Sequence, residues 1–200
     1  MTEHDHDRHH PKPMTEVEAR TAAIESLLVE KGVITSEQVD AVIEVFEKDL
    51  GPMNGARVVA RAWVDSSYKE RLLTEAAEAI RELGFSGLEG ENLRVLENTA
   101  SIHNAVVCTL CSCYPWPVLG LPPNWYKDFA YRSRMVREPR TVLREMGLEL
   151  SADTKLCVWD SSAEIRYMVL PERPGGTDHL SEEELAGLVT RDGMIGVARV

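Results

Sequence analysis

The chain has 200 residues, of which 44% are hydrophobic, and its formal net charge is −11 at pH 7. That length allows one substantial core, whereas the acidic balance argues against nucleic acid, which is bound by a basic face. Apolar runs fall well short of the roughly 18 residues of a membrane span. The polar N-terminus resembles no signal peptide, so we expect a cytoplasmic protein without a membrane contact.

Residues 1–13 contain four of the six histidines and almost no apolar side chain. Such a segment cannot bury a core, so we predict a disordered His-rich tail. Two interpretations stay open for this tail: a solvated segment or tag remnant, and a loose metal-scavenging segment.

Residues 14–90 have the apolar periodicity of helices and predict a helical arm followed by further helices. The first helix is expected over 16–31. A capping box at Thr35-Ser-Glu-Gln38 opens the second helix, and residues 54–64 and 67–83 predict two more. The apolar faces of these helices must pack either against the rest of the chain or against a partner subunit.

Residues 91–200 mix strand and helix patterns and are predicted to form the body of the protein. The predicted strands are 93–96, 103–108, 155–160 and 164–170. The predicted helices are 124–146, interrupted near Pro139, and a final helix that a capping box at Ser181 opens. Helices first, then mixed strands and helices, predict an α+β fold class with an N-terminal helical arm.

Three of the four cysteines lie within six residues, as Cys108, Cys111 and Cys113, in a segment (residues 107–117) that we call the metal loop. Thiolates this close favour a soft metal site over disulfides. The sulfurs of Cys111 and Cys113 and the backbone nitrogens of Ser112 and Cys113 can lie in one plane around an ion. Cys108 then supplies an axial sulfur, and a further position stays open. Deprotonated amide nitrogens favour a small trivalent ion, Co(III) or Fe(III), over Zn(II).

The same spacing leaves two other hypotheses open. A structural zinc site would need a fourth ligand, for which His103 or Cys157 is a candidate. A redox dithiol would need a βαβ unit beside it, which the pattern does not predict. Outside a metal site, His103 is expected to be a core histidine and Cys157 a small buried hydrophobe.

Residues 107–123, VCTLCSCYPWPVLGLPP, resemble the metal-binding segment of nitrile hydratase alpha subunits. Thr109 and Tyr114 within this segment resemble the cobalt type of the family, whereas iron-type members tend to carry Ser and Thr there. Further similar stretches extend the resemblance over roughly residues 15–197; they are 55–63, 124–127, 131–134, 158–162 and 188–192. The resemblance implies a layered α/β/β/α body and one Co(III) per chain, with Fe(III) less expected.

The activity implied by this resemblance is hydration of a small-molecule nitrile to its amide. Cys111 would be oxidised to sulfinic acid and Cys113 to sulfenic acid, which withdraws electron density from sulfur and makes the ion more acidic. The attacking oxygen could come from water on the ion or from the sulfenate of Cys113; the sequence does not choose between them.

The resemblance also implies roles for the residues around the ion. The implied metal ligands are Cys108, Cys111, Ser112 and Cys113, with Cys113, Ser112 and Tyr114 as the catalytic set. Trp116 and Thr109 would line the substrate pocket, although packing in the core is an equal alternative for Tyr114 and Trp116. Asp160 and Glu164 would form an acidic network behind the site, with turn capping and surface solvation as the alternative.

Partners follow from the same resemblance. The family pairs this chain with a beta subunit, as αβ or α2β2, whose arginines face the sulfur oxygens, and cobalt insertion is expected to need a helper protein. Arg132, Arg134 and Arg137 are predicted to form a partner-facing cationic stripe. The alternatives are a thiocyanate hydrolase subunit, against which Trp116 argues because the thiocyanate relatives carry Arg there, and a non-catalytic, zinc-bound assembly subunit.

Overall fold

The computed structural model describes residues 15–48, 51–85, 92–111 and 113–200. The chain divides into two compact units, Met1–Glu44 and Val45–Val200. The His-rich tail predicted over 1–13 lies outside the described residues.

The N-terminal unit is built on helices that begin at capping boxes. Helix α1 (Glu16–Glu30) begins after Thr15, whose side chain accepts from the Glu18 backbone N–H while the Glu18 carboxylate accepts from the Thr15 N–H. Helix α2 (Ser36–Lys48) follows the predicted box at Thr35. No residue of α1 is buried, so its apolar side chains find no core within this unit.

Helices α3 (Pro52–Val64), α4 (Ser66–Thr74) and α5 (Ala76–Glu82) open the second unit. The single helix predicted over 67–83 is wrong, because the backbone leaves the helical region at Glu75, with φ −134° and ψ 58°. The break lets Tyr68 on α4 donate its hydroxyl hydrogen bond to the Ala79 carbonyl on α5 at 3.1 Å. Burial of both helices against each other and against β1 therefore outweighs local helix propensity.

Four strands in the described part of the chain form two parallel pairs. Strand β1 (Leu93–Glu97) pairs with β4 (Arg166–Leu170), and β2 (Ile102–Val107) pairs with β3 (Lys155–Asp160). All four match predicted strands within a few residues. The register of the second pair sets Val107 opposite Asp160, so β3 ends beside the point where the chain leaves β2 for the metal loop.

The remaining helices are short. They are α6 (Trp116–Leu119), a 3-10 helix (Asn124–Lys127), α7 (Phe129–Arg137), α8 (Pro139–Glu145), α9 (Glu182–Leu188) and α10 (Arg191–Ile195). Of these, α10 packs against strands β2 and β4. The interruption predicted near Pro139 is confirmed, as is the capping box at Ser181. The helix predicted over 124–146 is wrong at its start, because Asp128 leaves the helical region and caps α7. The α+β fold class is confirmed, and no helix of the described residues is long and apolar enough to cross a membrane.

Helix α3 lies at the centre of the second unit and packs against α9, α6 and α10. Gly55 makes this close packing possible, since a methyl group there would lie 2.5 Å from the Val118 carbonyl oxygen of α6. The core thereby holds α6, the C-terminal end of the metal loop, against the helical part of the unit.

Candidate metal centre

The metal loop brings three sulfur atoms together at the end of β2. The Sγ atoms of Cys108 and Cys111 lie 3.3 Å apart, and those of Cys111 and Cys113 lie 3.0 Å apart. All three lie within 4.8 Å of one another, and no other His, Cys, Asp or Glu of the described residues joins the group. Cys108 is buried, Cys113 is half-buried and Cys111 is exposed, so the cluster is open to solvent on one side.

The start of the loop is tied to the neighbouring strand. The Thr109 backbone N–H donates to Asp160 Oδ1 at 2.9 Å, and the Thr109 hydroxyl donates to Asp160 Oδ2 at 2.5 Å. Hydrogen bonds to a carboxylate are short and strong. Because Asp160 ends β3, this contact fixes the turn that follows Cys108 to the edge of the sheet.

Two further side chains hold the carbonyl groups of the loop. The Tyr126 hydroxyl donates to the Cys113 carbonyl oxygen at 3.2 Å, and Arg132 Nη1 donates to the Cys111 carbonyl oxygen at 2.8 Å. Burial raises the pKa of Tyr126 well above its usual value, so it stays a neutral donor. Neither contact was predicted, although both residues lie in stretches that resemble the family, 124–127 and 131–134.

The three arginines of the predicted stripe make contacts within this chain, and their facing a partner stays a prediction. Arg134 pairs within the chain, with Glu138 and Glu145, both at 2.7 Å. Arg137 donates to Ser133 one turn earlier on α7, and Arg132 contacts the metal loop. Sequence spacing put the three side chains on one helix, but it could not show which acceptors lie beside each of them.

Free thiolates at this cluster would repel each other, and a bound cation would offset that repulsion. Burial raises the pKa of the Cys113 thiol to about 12, and the sulfurs of Cys111 and Cys108 add to this because neighbouring thiolates repel each other. Three thiolates at this spacing therefore need a positive charge among them. Sulfur donors bind soft or borderline metal ions well, so the donor set fits a transition-metal ion.

The other predicted site residues differ in their burial and contacts. Ser112 lies outside the described residues. Tyr114 is only 1% exposed, and its ring packs edge-on against Tyr126 with 5.1 Å between centroids. This burial supports the packing alternative, and a catalytic role for Tyr114 stays a prediction. Trp116 is half-buried at the start of α6. Glu164 is exposed in the β3–β4 turn, where its backbone N–H donates to Ser162 Oγ at 3.2 Å.

The two candidates for a fourth zinc ligand lie elsewhere. His103 Nε2 is 2.8 Å from the Gly196 carbonyl oxygen and its Nδ1 is 3.3 Å from Asn98 Nδ2, which uses both ring nitrogens in the core. Cys157 is a free cysteine in the middle of β3 and is not part of the sulfur cluster; it is half-buried, not buried as predicted. Neither residue therefore lies where it would complete a tetrahedral zinc site with the three cysteine sulfurs.

The sequence is similar to known proteins over most of its length. The sequence matches the family described as nitrile hydratase, alpha chain, over residues 15–198. It is 57% identical to the low-molecular weight cobalt-containing nitrile hydratase subunit alpha of Rhodococcus rhodochrous, over 94% of this chain and 91% of that protein. It is 59% identical to the nitrile hydratase subunit alpha of a Rhodococcus species, over 92% and 94% of the two chains.

Two further similarities bear on the metal and the substrate. A solved structure of a double mutant of the Fe-type nitrile hydratase from Comamonas testosteroni Ni1 superposes with a TM-score of 0.88 and 44% identity, covering 92% of this chain and 89% of that one. The gamma subunit of thiocyanate hydrolase from Thiobacillus thioparus is 42% identical over 94% of this chain and 83% of its own length.

Proposed function

This chain belongs to the nitrile hydratase alpha-chain family, and we propose that it is the metal-bearing subunit of an enzyme that adds water to a nitrile to form the amide. The observation that carries this proposal is the cluster of three cysteine sulfurs within 4.8 Å of one another. The cluster lies on a loop that Asp160, Tyr126 and Arg132 hold in place.

We propose that the cluster binds one Co(III) through the sulfurs of Cys108, Cys111 and Cys113 and the backbone nitrogens of Ser112 and Cys113. The bound ion would supply Lewis acidity that activates a nitrile toward water. Cobalt is preferred to iron because a relative at 57% identity is named as cobalt-containing and because Thr109 and Tyr114 resemble the cobalt type. The role of the chain's own residues is to hold the sulfurs at fixed positions while one side stays open.

The burial of the three sulfurs supports different oxidation states for them. Oxidation of cysteine follows its exposure to solvent and oxidant. Cys111 is exposed and Cys113 is half-buried, whereas Cys108 is fully buried. We therefore propose that molecular oxygen converts Cys111 to sulfinic acid and Cys113 to sulfenic acid, two chains together taking up the six oxygen atoms of three O2, and that Cys108 remains a thiolate.

The open side of the cluster is flanked by apolar side chains that suit a partner subunit. Leu110, within the loop, is 87% exposed, and Phe129, at the start of α7, is 81% exposed. Apolar groups exposed beside a functional site mark an interaction surface. We propose that a beta subunit covers this face and completes a pocket with Trp116, so that the chain alone is inactive, and that a helper protein inserts the cobalt.

The test is to produce the chain with its beta subunit in cobalt-supplemented medium and to measure amide formed from acetonitrile. We expect cobalt-dependent amide formation by the complex and none by the chain alone. A complex that holds cobalt but hydrolyses thiocyanate and leaves acetonitrile unchanged would replace this proposal with thiocyanate hydrolysis, which the 42% identical relative makes the second candidate. A complex that holds zinc and unoxidised cysteines would contradict both.

A further inference from the structure

The guanidinium group of Arg132 lies between the metal loop and an aromatic ring. Its Nη1 donates to the Cys111 carbonyl oxygen at 2.8 Å, and its Cζ lies 4.6 Å from the centroid of the Phe129 ring. Stacking of a guanidinium on an aromatic face fixes its orientation and adds a favourable cation–π contact. The hydrogen bond to the loop is therefore made by a cation whose own position is restrained.

The charge of Arg132 is not neutralised by a carboxylate in the described ranges, unlike that of its neighbour on α7. Arg134 is committed to Glu138 and Glu145. For Arg132 the contacts that the structure gives are the Cys111 carbonyl and the Phe129 ring. Its positive charge is therefore available to the metal loop.

The carbonyl that Arg132 binds belongs to the peptide group that joins Cys111 to Ser112. The Cys111 carbonyl and the Ser112 nitrogen are parts of one peptide unit, which resonance joins electronically. That nitrogen is one of the proposed metal ligands. Negative charge brought to this peptide by an anionic nitrogen is shared with the carbonyl oxygen, where a cationic donor at hydrogen-bond distance stabilises it.

We propose that Arg132 is a positioning residue that fixes the Cys111–Ser112 peptide and balances the negative charge of the metal loop, so that the loop retains its ion. This inference rests on the proposed function for the identity of the ion. Three thiolates and two anionic nitrogens carry more negative charge than a trivalent ion neutralises. Negative charge at the buried Cys108 and the half-buried Cys113 is unfavourable unless a cation compensates it, and this chain supplies one such cation through Arg132.

The test compares three variants of the cobalt-loaded complex: Arg132→Gln, Arg132→Lys and, as matched control, Arg137→Gln. Arg137 lies on the same helix and is exposed, and its hydrogen bonds in the described structure go to Ser133. Cobalt per complex is measured after growth at limiting cobalt, together with the sulfur-to-cobalt charge-transfer absorption. Neither readout requires catalytic turnover.

We expect Arg132→Gln to lower cobalt occupancy about tenfold, in line with the strength of a charged hydrogen bond, and to shift the absorption of the cobalt that remains. Arg132→Lys, which keeps the charge, should retain most of the cobalt, and Arg137→Gln should match the wild type. Full occupancy with unchanged absorption in Arg132→Gln would overturn the inference. A Lys variant as poor as the Gln variant would overturn the charge-balancing role, since a positive charge without the stacked guanidinium would then not hold the ion.

The outcome for the wild type separates this inference from the proposed function. A wild-type complex that holds cobalt on sulfur but forms no amide contradicts the proposed function, and the Arg132 series still decides the inference. A wild-type complex without cobalt overturns both.

Discussion

The Asp160 carboxylate shows how one side chain can hold the metal loop. Both of its oxygens accept hydrogen bonds from Thr109, one from the backbone and one from the hydroxyl. An acidic network behind the site was the role predicted for Asp160, and that role stays a prediction. The structure adds the donors that Asp160 binds, the backbone N–H and the hydroxyl of Thr109.

Replacing Asp160 by Asn should loosen this part of the loop. An amide keeps one acceptor oxygen for the Thr109 N–H, but the Thr109 hydroxyl then faces an NH2 group and has to accept from it. Two charge-assisted hydrogen bonds thus become weaker neutral ones. We expect Asp160→Asn to lower cobalt occupancy several-fold at limiting cobalt, with its far-UV circular dichroism unchanged. Asp153→Asn, which makes the same change at an exposed carboxylate before β3, is the control. Wild-type cobalt occupancy in Asp160→Asn would contradict this role.

His103 is a second residue whose contacts have a measurable consequence. It is 6% exposed. Burial lowers the pKa of His103; the hydrogen bond to the Gly196 carbonyl opposes this, and the charge of Arg199 adds to it. Because the unfolded chain then binds the proton more readily than the folded one, the stability that neutral His103 contributes is present above its unfolded pKa of about 6.5. It is lost as the pH falls through the folded pKa.

The prediction is a pH-dependent difference in the urea midpoint of unfolding. Between about pH 7.5 and about pH 5.5, the wild type should lose more stability than His103→Gln, in which this titration is absent. Groups that titrate in both proteins cancel in the comparison. Equal losses in the two proteins would show that His103 does not titrate differently on folding.

Some helix ends are determined by the local sequence, and others by packing against distant residues. The capping boxes at Thr15 and Ser181 satisfy backbone donors within one turn, and such local signals can be identified in sequence, as at Ser181. The break at Glu75 and the short helix α10 depend on distant contacts, which periodicity over so few residues does not reveal.

Gly196 is the clearest case of an element end determined by packing. It follows α10 with φ +86°, and a methyl group there would contact the Asn104 carbonyl and lie 2.9 Å from Ala105 Cα on β2. We expect Gly196→Ala to lower the free energy of unfolding by about 3 kcal/mol, because both the conformation and the space disfavour it.

The matched control for this substitution is Gly187→Ala. Gly187 lies in α9, and nothing lies within 4 Å of a methyl group built there. This change should leave the free energy of unfolding unchanged or raise it by up to about 1 kcal/mol. The two values are obtained from urea denaturation curves. Similar values for the two variants would contradict the close approach of Gly196 to β2.

For the molecule as a whole, composition and patterning predict the fold class but not the strand partners. Strands β1 and β4, and β2 and β3, pair in parallel across long connections, and parallel pairing leaves no turn signal between partners. The cysteine cluster could be predicted because its members are adjacent in sequence. The contacts of Arg132, Tyr126 and Asp160 with the loop arise from the tertiary fold, so sequence could indicate these residues only through family resemblance.

Alanine substitution of each cysteine in the complex with the beta subunit tests the central claim most directly. Cobalt content and amide formed from acetonitrile are measured for Cys108→Ala, Cys111→Ala, Cys113→Ala and Cys157→Ala. Because the first three remove a sulfur of the cluster and Cys157 lies outside it, we predict that the first three lose both cobalt and amide formation and that Cys157→Ala keeps both. Amide formation that persists without the cluster sulfurs would contradict the account.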